Sequence, residues 1–286
     1  MGGVLEQLGN ITTHPDLNMI EHIRHSQSDL EQEASWGEYS SSKFLFLGYL
    51  VQVAAGRELH FVVMVQGHKL LDILERFLLG KGFTYTRPRR EMGPGTDLEV
   101  SMGKDSLSFG IQTTRNDGIA QTYKPPCMII ALDRTFDAQT PSVEHMRTTF
   151  ARNGSLLPVV RLLISNTSEH IERCLSDVAQ SQRLRLLMHH TAQLLDVVGD
   201  LQDNALNVHE DVEEVLSCLA SDNFNANWPL PSIEPLAIAE PEELDDILRE
   251  NQGIATIGRS IDLGPTVQKR SVVSRPFCVS TFLVSN

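Results

Sequence analysis

Two Gly-Lys pairs are the residues of this sequence that could most simply hold a nucleotide phosphate. They are Gly80-Lys81 and Gly103-Lys104. A phosphate-binding loop needs an earlier glycine and a hydroxyl residue after the lysine, because its backbone amides wrap the phosphates while the lysine reaches the outer ones. Both pairs lack these residues, and no Asp-Glu pair for a magnesium ion follows an apolar strand. The sequence therefore predicts that this chain alone does not hydrolyse ATP.

Histidines, cysteines and acids are the residues that could build a metal site or activate a nucleophile. His22 and His25 lie three residues apart, but no further ligand accompanies them at metal-binding spacing. The run from His209 to Glu213 lacks the second histidine of a zinc protease helix, and the Gly-x-Ser-x-Gly motif is absent. The four cysteines, at positions 127, 174, 218 and 278, are far apart, which indicates reduced structural thiols. We therefore predict no enzymatic activity, no metal and no cofactor.

The composition is that of an ordinary globular chain, with 41% hydrophobic and 21% charged residues. No apolar run approaches the roughly 18 residues needed to cross a bilayer. The N-terminus lacks a basic segment followed by an apolar one, as a secretory signal would have. These features predict a soluble intracellular protein of one or two domains.

Negative charge is concentrated at the two flanks of the sequence. The formal net charge is −13, yet residues 40–195 hold 18 Lys plus Arg against 14 Asp plus Glu. Residues 1–39 hold 7 acids and 1 base, and residues 196–250 hold 15 acids and 1 base. The centre is mildly basic, with a local cluster at Lys81, Arg87, Arg89 and Arg90. This distribution is compatible with a phosphate-facing surface on the central domain.

Two short apolar runs rich in β-branched residues lie near the middle of the sequence. Met128 to Leu132 and Pro158 to Ile164 are each long enough for a buried strand and too short for a buried helix. A polar segment of helical character separates them, and a helix that Ser168 could cap follows the second. Strand, polar crossover, strand and helix in this order predict a parallel α/β sheet.

Strands and helices also alternate upstream of these runs. Residues 1–35 and 44–51 have helical periodicity. The sequence then predicts a strand, a helix and two further strands, over Glu58 to Gln66, Leu70 to Leu78, Phe83 to Thr86 and Leu107 to Thr113.

After Cys174 the pattern is helical. Apolar residues recur from Leu184 to Leu201 and from Val208 to Leu219. These two amphipathic helices either cover the sheet or each other, or they face a partner. Residues 221–250 are acidic and contain prolines, which predicts an irregular linker that ends in a short helix from Glu242 to Leu248. Residues 251–286 show no clear period.

A strand-end acid and an Arg-x-Gly motif lie on either side of the polar crossover. With them, the segment resembles the end of the second RecA-like lobe of Swi/Snf-type chromatin ATPases. Asp133 matches the acid, Arg152-Asn153-Gly154 the motif and Thr167-Ser168-Glu169 the start of the last helix. Thr149 stands where those ATPases have their first arginine, and Ser155 replaces their closing glutamine. The resemblance implies a degenerate motor lobe, and one lobe cannot hydrolyse ATP by itself because its arginine acts on a phosphate held by the other.

Longer strings connect the sequence to a narrower family. In order along residues 10–220, it is similar to the non-catalytic subunits 2 and 3 of the fungal class II histone deacetylase complex. The strings that carry this resemblance are Ser40-Ser41-Ser42-Lys43-Phe44, Leu71-Asp72-Ile73-Leu74-Glu75, Tyr85-Thr86-Arg87, Pro141-Ser142-Val143-Glu144-His145 and the run from Arg152 to Leu162.

The resemblance implies a scaffold rather than an enzyme. Its partners would be the class II histone deacetylase catalytic subunit and a paralogous non-catalytic subunit, in a nuclear complex for transcriptional repression and heterochromatin silencing. The family is expected to continue into coiled coils, yet residues 251–286 contain no sustained heptads. Either the chain is a fragment, its end diverges, or assembly uses the helices at 184–219.

We therefore predict an α/β fold with a single RecA-like parallel sheet, like the C-terminal lobe of a helicase, and helical additions at both ends. The predicted parts are an N-terminal helical extension (1–39), the helicase-like lobe (40–176), C-terminal helices (177–220) and an acidic linker and tail (221–286).

Cations of the lobe are the candidates for contact with DNA or a nucleosome, because phosphate contacts need mobile or forked cations more than a fixed motif. Arg115 stands where an active ATPase contacts nucleotide and DNA, although a solvated role stays open for it. Two alternatives remain: a nucleotide-dependent remodelling lobe completed in trans, and a protein-interaction module without DNA contact. The candidate DNA-binding residues are Lys43, Arg87, Arg89, Arg90, Arg115, Lys124 and Arg152.

Overall fold

The computed structural model describes residues 2–19, 30–65, 67–88, 98–101, 107–113, 124–175, 178–198, 207–221, 236 and 279–283. The α-helices of these segments are α1 (Gly2–Thr13), α2 (Leu30–Ser40), α3 (Ser42–Ala54), α4 (Gly67–Gly80), α5 (Pro141–Thr149), α6 (Ser168–Cys174), α7 (Gln180–Gln193) and α8 (Val208–Ala220). The strands are β1 (His60–Val65), β2 (Thr84–Pro88), β3 (Leu98–Ser101), β4 (Ser108–Thr113), β5 (Met128–Ala131), β6 (Val159–Ile164) and β7 (Val279–Leu283). Short 3-10 helices cover Pro15–Asn18 and Leu195–Val197.

The strands form one sheet in the order β3-β2-β4-β1-β5-β6-β7. The five strands from β2 to β6 in this order pair in parallel, while β3 and β7 pair antiparallel at the two margins. Parallel pairing requires a crossover between strands. The helix α4 provides it between β1 and β2, and α5 provides it between β5 and β6. The predicted α/β class and parallel sheet are confirmed, and helices precede and follow the sheet as expected. The likeness to a helicase lobe and the domain boundaries remain predictions.

Each face of the sheet packs against its own helices. Because side chains alternate along a strand, Phe61 and Val63 of β1 join one apolar cluster while Val62 and Met64 join another. The first cluster contains α3, α4 and α8, and the second contains α5. All six residues of β1 are buried, which explains why its sequence is a continuous apolar run rather than an alternating one. The helix over Val208 to Leu219 packs against α3 and buries its apolar residues in the first cluster, so it covers the protein's own core on this face of the sheet.

The start of α6 differs from the prediction by one residue. Thr167, and not Ser168, occupies the N-cap, where its side chain accepts a hydrogen bond from the backbone N–H of His170. The Thr167 hydroxyl also donates to the carbonyl of Ile164 at 2.7 Å. That second bond ties the cap to the last residue of β6 and so favours Thr167 over its neighbour. The start of α8 carries a capping box between Asn207 and Glu210.

Parts of the C-terminal region were predicted incompletely. The strand β7 lies in the segment without clear period and pairs with β6 from Ile164↔Val279 to Val160↔Leu283. The predicted helix from Glu242 to Leu248 lies outside the described residues, as does Cys278. The other three cysteines are free thiols, as predicted.

Asp211 makes the docking of α8 sensitive to pH. Asp211 is 5% exposed. Burial raises the pKa of its carboxyl from 3.8 to about 7, and the charge of the neighbouring Glu210 adds to this shift. When the pKa of a carboxyl is higher in the folded state than in the unfolded state, the fold favours its protonated form. The resulting stabilisation is complete below the unfolded-state pKa and is lost as the pH rises through the folded-state pKa. We expect the free energy of unfolding of the native chain, relative to Asp211→Asn, to fall between pH 4 and pH 7 and to level off above it.

Urea unfolding at a series of pH values measures this difference. Asp196→Asn is the matched control, because Asp196 is an exposed acid in the 3-10 helix after α7. Parallel stability curves for the native chain and Asp211→Asn would contradict the prediction.

Candidate functional site at the two ends of the sheet

Lys43 reaches the carboxyl end of the parallel strands, the end at which ligands of open α/β sheets bind. From the first turn of α3, its Nζ donates to the carbonyl of Leu132, directly after β5, at 2.8 Å. It also donates to Oε1 and Oε2 of Glu169, on α6 after β6, at 3.0 and 2.8 Å. The side chains of Lys43 and Glu169 are 0% and 2% exposed. These partners match the three donors of an ammonium, so Lys43 is fully bonded within the protein.

Two further charged residues surround this ion pair. Asp133 is buried and its Oδ1 accepts from the backbone N–H and the hydroxyl of Thr135, at 2.6 and 2.7 Å. Arg161 of β6 is buried as well, and its Nη2 donates to the carbonyls of Arg134 and Phe136, at 2.7 and 2.8 Å. Lys43 and Nη2 of Arg161 are thus bonded to protein groups rather than presented to an outside phosphate. Among the described residues, Nε of Arg161 and Oδ2 of Asp133 are buried without a hydrogen-bond partner.

Burial and charge act against each other in this cluster. Burial raises the pKa of Glu169, while Lys43 and Arg161 favour its charged form. Burial also lowers the pKa of Arg161, against the effect of the Glu169 carboxylate. An isolated charge would be strongly disfavoured here, so each member depends on the others to remain ionised.

The structure places Lys43 in the interior and not on a DNA-facing surface. A DNA phosphate cannot approach an ammonium that is buried and bonded to Glu169 and Leu132. Sequence reasoning took Lys43 as a candidate because it is one of the cations of the predicted lobe. The signal that it missed is the position itself: Lys43 stands in the first turn of a helix whose next residues are nearly all buried.

Two other candidates lie together at the opposite, amino end of the strands. Lys124 is exposed four residues before β5, and its charge contributes to the lowered pKa of His60, the first residue of β1. Arg152 precedes β6, and its charge acts on the thiol of Cys127, directly before β5. The topology therefore brings Lys124 and Arg152 to the same end of three adjacent strands.

A tight turn fixes the position of Arg152. Arg152 and Ser155 exchange two backbone hydrogen bonds of 2.9 Å around Asn153 and Gly154. The turn residues have φ angles of 50° and 83°, which an Asn-Gly pair adopts with little strain. The Arg-x-Gly motif of the sequence is thus a two-residue turn that places its arginine next to the start of β6.

Sequence reasoning missed Arg57 as a third cation at this end. Arg57 is exposed in the connection between α3 and β1, next to the exposed acid Glu58. No local sequence pattern predicts that Arg57 lies near the other two cations, because this depends on β1 lying between β4 and β5 in the sheet. We call Arg57, Lys124 and Arg152 the amino-end cations.

Arg87 lies apart from this group. Its Nη1 is 2.7 Å from Oε2 of Glu75 and 3.8 Å from Oδ1 of Asp72, and its side chain is 13% exposed. Arg87 is thus partly neutralised by two acids of α4. Arg89, Arg90 and Arg115 lie outside the described residues.

A histidine and a serine meet under the amino end. Nδ1 of His60 lies 2.9 Å from Oγ of Ser108, and the thiol of Cys127 donates to the carbonyl of His60 at 3.1 Å. Burial, aided by Lys124, lowers the pKa of His60 to about 4, and burial raises the pKa of Cys127 to about 11. A general base works best with a pKa near the ambient pH, and a nucleophile must be reachable. With Ser108 buried and His60 a weak base, this arrangement favours a structural role.

Apolar side chains are exposed along one side of α7 and in the turn after it. Leu184 and Met188 are one helical turn apart and are 39% and 44% exposed, and Leu195 and Val197 follow in the 3-10 helix. The other side of α7 packs against α6 in a small cluster of its own. Because one apolar side of α7 is packed and the other is exposed, the exposed side could contact another protein. We call these four residues the α7 apolar row.

In the described segments, no group of three or more His, Cys, Asp or Glu side chains is arranged to hold a metal ion. Among the same residues, no helix combines the length and hydropathy needed to span a bilayer.

A family model and two solved structures are similar to this chain. The family model of class II histone deacetylase complex subunits 2 and 3 matches residues 1–219. A chain in the solved structure of the yeast class II Hda1 HDAC complex has a TM-score of 0.63 and 18% identity, over 86% of this chain and 83% of that one. At this identity the likeness shows the fold alone. A chain in the crystal structure of fission yeast Ccq1 and Tpz1 has a TM-score of 0.47 and 18% identity, over 84% and 80%. No curated protein sequence matches significantly.

The Lys43–Glu169 pair is testable by a double-mutant cycle. Lys43→Met leaves a buried carboxylate without its cation, and we expect it to lower the free energy of unfolding by about 3–5 kcal/mol. Glu169→Gln should also destabilise, because it leaves a buried ammonium. The double variant should recover a large part of the loss, with a coupling energy above about 1 kcal/mol.

Urea unfolding followed by circular dichroism supplies these values. Lys124→Met is the matched control and should change stability by less than about 0.5 kcal/mol, because Lys124 is exposed. Additive losses in the double variant would show that the two side chains do not interact.

Proposed function

Because the chain belongs to the family of class II histone deacetylase complex subunits 2 and 3, we propose that it is a non-catalytic scaffold of such a complex in the nucleus. The observation that carries this proposal is the Lys43–Glu169 pair, which fills the ligand-binding end of β5 and β6 with the chain's own charges. The α7 apolar row and the amino-end cations are surfaces that could bind a partner, which favours a binding role over a catalytic one. By holding a deacetylase next to chromatin, the scaffold raises the effective concentration of the catalytic site near its substrate.

The partners in this proposal are the deacetylase catalytic subunit and a paralogous non-catalytic subunit. The α7 apolar row supports a protein contact, because exposed aliphatic side chains in one row are typical of interface cores. The row also belongs to a helix outside the main core, so a partner can bind there without disturbing the sheet.

Charged substitutions in the α7 apolar row should weaken assembly. We expect Leu184→Asp combined with Met188→Asp to lower the amount of copurifying deacetylase at least about tenfold, since a buried unpaired charge at an interface costs more than 1.4 kcal/mol. Affinity purification from nuclei followed by quantitative mass spectrometry measures the change. Ile11→Asp is the matched control, because Ile11 is a 54% exposed aliphatic residue on α1. Full retention of the deacetylase by the double variant would remove α7 from the interface.

The second part of the proposal is direct contact with DNA or nucleosomal DNA through the amino-end cations. Their support is convergence: Arg57, Lys124 and Arg152 come from three separate connections and meet at one end of the sheet. The formal net charge of −13 opposes binding over most of the surface, so contact depends on such a local patch.

Removing the amino-end cations should reduce both affinity and salt dependence. We expect Lys124→Ala and Arg152→Ala each to weaken duplex DNA binding and to lower the slope of log K against log salt by about 1. Fluorescence anisotropy at about 50 and 200 mM salt measures both quantities. Arg173→Ala is the matched control, because Arg173 is an exposed arginine on α6, beyond the opposite end of β6. If the native chain does not bind DNA even at low salt, the chain is a protein-interaction module without DNA contact.

A residual nucleotide-dependent lobe, completed in trans by another chain, is the competing function. The scaffold proposal expects no saturable binding of a fluorescent ATP analogue to the purified chain, because the phosphate cradle is missing and Lys43 is engaged. Binding that is lost in Arg152→Ala would overturn the scaffold proposal in favour of the nucleotide-dependent one.

A further inference from the structure

The strand β7 covers one margin of the sheet from a distant part of the sequence. Val279 lies opposite Ile164 and Leu283 lies opposite Val160, so β7 runs antiparallel along the outer edge of β6. Residues 221–278 lie between α8 and this strand. By contrast, β3 at the other margin is the next element after its partner β2. The chain connection therefore fixes β3 beside its partner, but it leaves β7 a long reach.

The edge that β7 covers belongs to a fully buried strand. All six residues of β6 are between 0% and 7% exposed. The inner neighbour β5 is in register with residues 159–161, whereas among the described strands only β7 is in register with residues 162–164. Main-chain N–H and C=O groups in such a strand need partners. Without β7, this half of β6 would be an open edge, which is a template for another strand.

The segment that fits this edge is known from the structure itself. When a strand adds to a sheet, main-chain hydrogen bonds supply most of the affinity, so the edge requires an extended segment without proline. Residues 279–283 meet this requirement. A second copy of the chain presents the same five residues with the same spacing. Reciprocal exchange covers the edge of both copies and closes with two-fold symmetry, whereas an unrelated strand would leave the displaced β7 unpaired.

We propose that the outer edge of β6 binds residues 279–283 of a second copy of this chain, in exchange for its own β7. Within one chain, β7 competes at an effective concentration that the length of the connection sets. Exchange between copies therefore increases with the concentration of the chain. The proposal does not depend on the scaffold role, because it concerns only the margin of the sheet.

Disulfide trapping between two full-length copies tests the exchange. One copy carries Ile164→Cys and the other Val279→Cys, and both carry Cys278→Ser to remove the adjacent thiol. Register partners on antiparallel strands are close enough for a disulfide. Under mild oxidation we expect a disulfide between the two copies, identified by mass spectrometry of the linked peptides. Its yield should rise roughly in proportion to chain concentration, since the competing strand within each chain has a fixed effective concentration.

Two further variants control for the geometry. A single chain with both Ile164→Cys and Val279→Cys should close its disulfide within one copy, which confirms the register. Leu283→Cys in place of Val279→Cys is the matched control, because Leu283 is in register with Val160. Four residues along a strand span roughly 13 Å, beyond the reach of a disulfide, so the yield should fall about tenfold or more. Val160→Cys with Leu283→Cys tests the same edge if Ile164→Cys does not fold.

Prolines in β7 test whether the two strands compete. Ser280→Pro with Thr281→Pro goes into the copy that carries Ile164→Cys. Successive N–H groups point to opposite sides of a strand, so one of the two prolines removes a donor from the ladder with β6. The copy's own strand should detach, and the yield of linked copies should rise about tenfold or more. Ser280→Ala with Thr281→Ala is the matched control and should leave the yield unchanged.

Each opposite result would overturn the proposal. Closure within the doubly substituted chain, without linkage between copies up to about millimolar chain, would show that β7 binds only its own β6. Equal linkage through Val279→Cys and Leu283→Cys would show random collision rather than strand pairing. An unchanged yield with the two prolines would show that the linked copies do not use the edge that β7 covers. Failure of the doubly substituted chain to close would remove β7 from β6.

Discussion

One buried ammonium determines how the parts of this protein fit together. Lys43 brings a positive charge into an environment without water, where it is tolerated only if all its donors are bonded. Its three acceptors come from the end of β5 and from α6, while the lysine itself belongs to α3. The helix α3, the end of β5 and the helix α6 are therefore joined at one point. Since a lone buried charge would be costly on either side, neither α3 nor α6 can move independently of the other.

The two ends of the sheet differ in what their charged residues contact. At the carboxyl end, where a parallel sheet ordinarily receives ligands, Lys43, Asp133, Arg161 and Glu169 are engaged by protein groups. At the amino end, the connections before β1, β5 and β6 carry the amino-end cations, of which Arg57 and Lys124 are exposed and Arg152 is half-buried. A motor lobe needs its carboxyl end open for chemistry, whereas a scaffold needs only a stable sheet and accessible surfaces. The internal bonding of these charged groups at one end therefore supports the scaffold proposal.

The sequence predicts the elements well and their meeting points poorly. The runs at β1, β5 and β6 are short, apolar and β-branched, and these properties act over a few residues, so the strands are visible without a structure. The order of strands, in contrast, depends on contacts between residues far apart in the chain. Lys43 and Glu169 are separated by 126 positions, and no local pattern shows that they pair. Arg57 becomes a candidate only because β1 lies beside β5 in the sheet. Thr167 rather than Ser168 caps α6 because its hydroxyl also bonds to the last residue of β6.

The exposed apolar residues of the α7 apolar row lie on a helix that packs outside the main hydrophobic core. The main core buries α3, α4 and α8 against the sheet, and β1 supplies residues to both faces. The inner side of α7, by contrast, packs in a satellite cluster with α6, into which Leu5 of α1 and Leu236 also reach. Fewer buried side chains hold such a cluster, so its local stability is expected to be lower than that of the main core. A partner that covered the α7 apolar row would therefore stabilise a part of the protein that the main core does not hold.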